Sequence, residues 1–88
     1  MQAPEPRGVK YTTHPAGIKA SGRKMRELRE ARNLSQEALA WKADSELSQI
    51  SRMERGIVNA GLSQIFKIVA ALEVHSKELF DFEMPEEE

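Results

Sequence analysis

The sequence predicts an all-α domain of five short helices and no strand, and three observations carry that prediction. Apolar residues recur at spacings of three and four along the longer segments, the pattern of a helix that buries one face. Residues that favour helix ends stand at the borders of these segments: Ser21, Ser35 and Ser76 at starts, Asn33 and Gly56 at stops. Only five of the 88 residues are aromatic, so the core must be built from Leu, Ile, Val, Ala and Met.

Residues 1–20 hold three prolines and two glycines without apolar periodicity, which predicts a flexible N-terminal arm. Its Arg7, Lys10 and Lys19 are suited to tracking phosphate or entering a minor groove; the plainer reading is a solvated leader. His14 has no partner at metal-ligand spacing.

Ser21 is expected to cap a first helix over 21–32, with Met25, Leu28 and Ala31 facing inward and Arg23, Lys24, Arg26, Arg29 and Arg32 making it basic. Asn33 closes it. Ser35 caps a second helix over 35–43, whose apolar face is Leu39, Ala40 and Ala43. Trp41 falls off that face and is expected to cover the arm or the first helix, since large aromatics usually bury surface. Asp44-Ser45 breaks the helix, both residues favouring turns.

A third helix follows over 46–54, with Ile50 and Met53 inward, and stops at Gly56. Its other face keeps Ser48, Gln49, Ser51, Arg52 and Arg55, side chains of the lengths that reach base edges and phosphates. Two short helices, a tight turn and a polar outer face make a helix-turn-helix, whose second helix can enter a major groove.

A fourth helix over 62–72, capped by Gly61 or Ser63, carries the widest apolar stripe: Ile65, Phe66, Ile68, Val69 and Leu72. Ser76 is expected to cap a short fifth helix to residue 80. The domain proper therefore spans 21–80, and 81–88 form an acidic, frayed C-terminal tail. The expected core is Met25, Leu28, Leu39, Ala40, Ile50, Met53, Ile65, Val69, Leu72 and Leu79.

The formal net charge of −1 argues against nucleic acid only until its distribution is read. Residues 1–42 carry nine Lys/Arg against four Asp/Glu, while residues 43–88 carry four against ten, five of those acids lying beyond residue 80. A local basic face matters for binding more than the sum. The chain has no cysteine, which removes disulfide frameworks, zinc fingers and a thiol nucleophile. His14 and His75 lack carboxylates at useful spacing, and no Gly-rich loop precedes a helix, so no enzyme and no cofactor is expected. Without a membrane-length apolar run or a signal peptide, the chain reads as cytoplasmic, with no membrane partner.

The stretch LSQEALA (34–40), the ISRMERG run (50–56), Arg29 within LRE and IFKIVAALEV (65–74), at their mutual spacing, resemble the Cro/phage-repressor (Xre-type) helix-turn-helix family from about Gly22 to about Phe80. The resemblance implies a compact five-helix lambda-repressor-like DNA-binding domain. It also implies a salt bridge between Arg29 and Glu54, tying the first helix to the third. Gln36, at the N-terminus of the second helix, is expected to grip a phosphate. Leu47, Ser48 and Arg52 should face base edges, with Gln49 and Ser51 close by.

Departures from the family pattern are local. Asp44 stands where a turn Gly is usual, and Asp tolerates the left-handed region. Ser45 replaces an apolar residue, losing some core contact. Glu46 is a poor cap, so the third helix could begin a residue early. Ala60-Gly61 replaces Pro-Ser, and Glu73 replaces a Gly. Leu47 stands at a reading position that is usually polar; it either meets a thymine methyl or packs on its own turn.

The function expected from all this is a sequence-specific transcriptional regulator. It would bind double-stranded DNA at a palindromic operator as a homodimer, with no effector-sensing domain after the fifth helix. Family members of this size include restriction–modification controllers, phage repressors and antitoxins. The alternative is an antitoxin or adaptor module whose main role is to bind a partner protein. A domain this small buries only about 60% of its unfolded surface and gains from association. Phe66, Val74, Phe80 and Phe82 are more apolar surface than one core needs, and mark the expected dimer interface.

Overall fold

The computed structural model describes residues 13–86 of the 88. Five helices follow one another: α1 Pro15–Ala31, α2 Gln36–Lys42, α3 Leu47–Arg55, α4 Leu62–Leu72 and α5 Ser76–Leu79. There is no strand among the described residues. α1 packs on α3 and α5, α2 on α3 and α4, and α4 on α5. The centre of the packing is Met25, Leu39, Ile50, Ile68, Leu72 and Leu79, all shielded from solvent. Leu28, Ile65 and Val69 are half-buried against that centre rather than inside it; on α4 the deeply buried position is Ile68.

The first helix begins at Pro15, six residues before the expected Ser21. Proline suits the first turn, where its missing N–H has no partner to lose. The cap is His14, whose Nδ1 accepts from the Gly17 backbone N–H at 2.9 Å. Ser21 lies inside the helix and its hydroxyl donates to the Ile18 carbonyl at 3.0 Å, satisfying the side chain without breaking the ladder. Residues 15–20, assigned to the arm on composition, are therefore helical; Arg7 and Lys10 lie outside the described residues. Lys19 is exposed on α1 and its stem runs against Gly56. Gly22, a poor helix former, has a packing reason to be there. A Cβ at that position would stand 2.4 Å from the Met53 carbonyl oxygen, so only glycine lets α1 lie this close to α3.

Three successive helices end in the same way. After α1, Leu34 N–H bonds Arg29 O and Asn33 N–H bonds Glu30 O. After α2, Ser45 N–H bonds Ala40 O and Asp44 N–H bonds Trp41 O. After α3, Ile57 N–H bonds Arg52 O and Gly56 N–H bonds Met53 O. Each is a Schellman closure, which needs one left-handed residue: Asn33 (φ 57°), Asp44 (φ 52°) and Gly56 (φ 72°) supply it. The expected turn at Asp44 is thus present.

Ser45 does not leave a gap. It is half-buried and its Oγ accepts from Gln64 Nε2 at 2.9 Å, while Lys67 Nζ donates to the Asp44 carbonyl at 3.2 Å. α4 holds the turn with polar side chains where an apolar contact is usual. Glu46 is the N-cap of α3 and makes no side-chain cap bond; the helix nevertheless starts after it, at Leu47. α5 is capped by His75 instead of Ser76, with the Glu78 carboxylate accepting from the His75 backbone N–H at 3.1 Å.

Candidate nucleic-acid interface

α3 divides cleanly. Ile50, Met53 and Glu54 are buried, and Ser48, Arg52 and Arg55 share the opposite side at spacings of three and four. Ser48 and Arg55 are exposed; Gln49, Ser51 and Arg52 are half-buried flanks. Arg52 makes no side-chain hydrogen bond or ion pair among the described residues, and Arg55 only brushes the Ser51 carbonyl at 3.4 Å. Leu47, at the first turn of α3, leaves 42% of its surface exposed.

The inner side of α3 is fixed by an ion pair. Arg29 Nε donates to Glu54 Oε2 at 2.6 Å and Nη2 to Glu54 Oε1 at 3.0 Å, while Nη1 reaches the Leu34 carbonyl at 2.7 Å. Both residues are buried, with 8% and 7% of their surface exposed. The hydrogen bond to Glu54 raises the Arg29 guanidinium above its ordinary pKa; burial opposes this, and the charges of Glu54 and Glu30 add to the rise. Arg29 is thus charged at any working pH. The fork geometry is that of strong two-point guanidinium–carboxylate pairing.

Gln36 joins the same cluster, its Nε2 donating to Glu54 Oε1 at 2.9 Å. The side chain expected to hold a phosphate is thus half-buried and anchored to α3, with one of its two amide hydrogens committed. Neither this third donor to Glu54 nor the Leu34 contact was foreseen from the sequence. Gln36 and Glu54 are 18 positions apart and no local pattern links them.

Trp41 does not cover α1. It is 85% exposed, because α2 buries Leu39, Ala40 and Ala43 and turns Trp41 the other way. Phe66 is 60% and Phe80 53% exposed; Phe82 is half-buried, and Val74 packs partly against the core. Among the described residues, no helix is long and apolar enough to cross a membrane, and no group of three His, Asp or Glu is placed to hold a metal ion.

Residues 25–79 match the helix-turn-helix family model HTH_3. The chain is 45% identical over 62 residues to the control protein C.BamHI of Bacillus amyloliquefaciens, covering 69% of this chain and 76% of that protein. Among solved structures, the restriction–modification controller protein C.AhdI of Aeromonas hydrophila superposes with a TM-score of 0.72 at 40% identity, over 74% of this chain and 98% of that one. A hypothetical transcription factor from Neisseria, NHTF, superposes at 0.70 with 30% identity, over 81% and 82% of the two chains.

Proposed function

The chain belongs to the helix-turn-helix family, and from that premise we propose that it is a sequence-specific DNA-binding regulator of transcription, of the restriction–modification controller kind. The observation that carries this is the outer side of α3. Ser48, Arg52 and Arg55 project from it, and the helix beneath is held by the buried Arg29–Glu54 pair. A reading helix needs both properties: free hydrogen-bonding groups toward the bases and a support that holds them still. In this reading Leu47, Ser48 and Arg52 meet base edges. Gln49 and Ser51 flank them, and Arg55 meets phosphate. Gln36 uses its second amide hydrogen on a phosphate, oriented by the first one's bond to Glu54.

One helix of this size contacts too few base pairs for a unique genomic site. The reading is therefore of a homodimer on a palindrome, with half-sites about 34 Å apart. Its seam is formed by Phe66, Val74, Phe80 and Phe82. The exposure of Phe66 and Phe80 supports this arrangement, since a monomer gains nothing by wetting them.

The test is selection from random-sequence duplexes followed by gel-shift titration at several salt concentrations. A discrete palindromic site and a steep salt dependence are expected. Equal affinity for all duplexes, or no complex at low salt, overturns the proposal.

A further inference from the structure

A cavity of about 410 Å³ opens between the first turns of α1, the loop at 57–61 and residues 79–84. Its floor reaches the core at Met25, Met53 and Leu79, and its walls include Ile18, Ile65 and Phe82. We propose that this cavity is a binding site for a compact, uncharged, largely apolar molecule bearing one hydrogen-bond acceptor, separate from the DNA face.

Size is the first argument, since pockets for small organic ligands occupy about 300–1,000 Å³. The lining is the second. In a chain with 31% charged residues, not one Asp, Glu, Lys or Arg lines this cavity among the described residues. Among the described residues no Lys or Arg in the lining answers a phosphate or a carboxylate, and a buried charge needs a partner. Met25, Met53 and Met84 are flexible and polarisable, and adapt to a ligand's shape at low cost.

The few polar groups determine the rest. Ser21 already donates to the Ile18 carbonyl. His14 accepts through Nδ1 from Gly17, so its neutral ring carries the proton on Nε2 as a donor. Thr13 and Asn59 are exposed and lie toward the mouth. A ligand with a carbonyl or ether oxygen meets these donors while its apolar body fills the floor. A peptide added as a strand is not expected, for the described residues offer no strand edge to pair with its backbone. Phe80 and Phe82 line the cavity and also belong to the dimer seam proposed above. If that dimer reading holds, occupancy alters the seam; the binding site itself does not depend on it.

The experiment uses the full chain and the uncharged fluorophore prodan, an apolar naphthalene with one ketone. The expected result is saturable, blue-shifted emission with about one probe per chain, as for a single preformed pocket. Ile18→Phe and Ala60→Leu each add bulk to the lining and should each weaken binding about tenfold or more while melting cooperatively near wild type. Arg52→Ala should leave probe binding unchanged. The proposal is overturned by absence of saturable binding to wild type, whether residues 1–12 or nothing fills the space. It is equally overturned if binding is unchanged in the filled variant or variants that fold, or if it fades as protein concentration rises, which would make a second copy the occupant. Sedimentation with and without the probe then reads the link to the dimer separately.

Discussion

Gln36 Nε2 lies 2.9 Å from Glu54 Oε1, so the first residue of α2 is tied by its side chain to the last turn of α3. With two bonds from Arg29, the Glu54 carboxylate accepts three hydrogen bonds in a largely buried site. Desolvating a carboxylate is costly unless its lone pairs are answered. The cluster answers them and, in doing so, fixes α2 against α3 and α1.

Removing the cation should therefore strand the anion. Arg29→Met is expected to lower stability by about 3–5 kcal/mol. Arg29→Met combined with Glu54→Leu should recover part of that loss. A double-mutant cycle in urea measures the coupling. A coupling below about 0.5 kcal/mol would place the pair with ordinary surface charges. The raised pKa of Arg29 gives stability that is present below its unfolded value and is lost only as pH climbs past the folded one. No base-induced loss from this group is expected at working pH.

Gly22→Ala probes the contact between α1 and α3. Alanine is the better helix former by about 1 kcal/mol, yet its Cβ would meet Met53 O at 2.4 Å and Glu54 O at 2.9 Å. Both atoms are backbone, so the helices must separate. The net expectation is a loss of about 1–3 kcal/mol, read as a lower urea midpoint. A gain in stability would show that α1 lies farther from α3 than described.

Arg52→Ala and Gln36→Ala should fail in different ways. Arg52 is expected to cost about 1–3 kcal/mol of DNA affinity and to relax preference at one base pair. Gln36→Ala should weaken all duplexes by a similar factor and also lower stability by about 1–2 kcal/mol, since Glu54 loses one of its three donors. Affinities against a panel of single-base operator variants separate the two. If Arg52→Ala scales every duplex equally, Arg52 contacts phosphate.

Phe80→Ala/Phe82→Ala should shift the chain from dimer to monomer at micromolar concentration in sedimentation, and should abolish cooperative binding to a palindrome. A wild-type monomer that binds the palindrome without cooperativity would end the dimer reading.

Much of this was legible because it is local. Helix ends at Ser35, Asn33, Asp44 and Gly56 are written in residues that cap or turn for their own steric reasons, and the inward faces of α2, α3 and α4 follow from spacing. The start of α1 was not, because its cap is a histidine ring and because Ser21, a good cap by type, acts as a donor inside the helix. Gln36 was half legible. Its place at a helix start is sequence-local, but its bond to Glu54 exists only once α2 and α3 have packed. Trp41 misled, since the usual habit of aromatics gave way to a small α2 whose inner side was already filled by Leu39, Ala40 and Ala43.

α4 ends on Glu73 in the left-handed region, φ 59°, a conformation that glycine takes freely and a β-carbon resists. Its carbonyl accepts from Arg32 at 2.8 Å, a bond that glycine would keep. Glu73→Gly should thus raise stability by up to about 1 kcal/mol, less what glycine adds to the freedom of the unfolded chain. For a protein near its stability threshold, 1 kcal/mol changes the unfolded fraction about fivefold, and that fraction is what cellular proteases consume. The residue that stops one helix is thereby expected to set how fast the chain is cleared. Pulse-chase decay of wild type beside Glu73→Gly is expected to show the slower clearance in the variant.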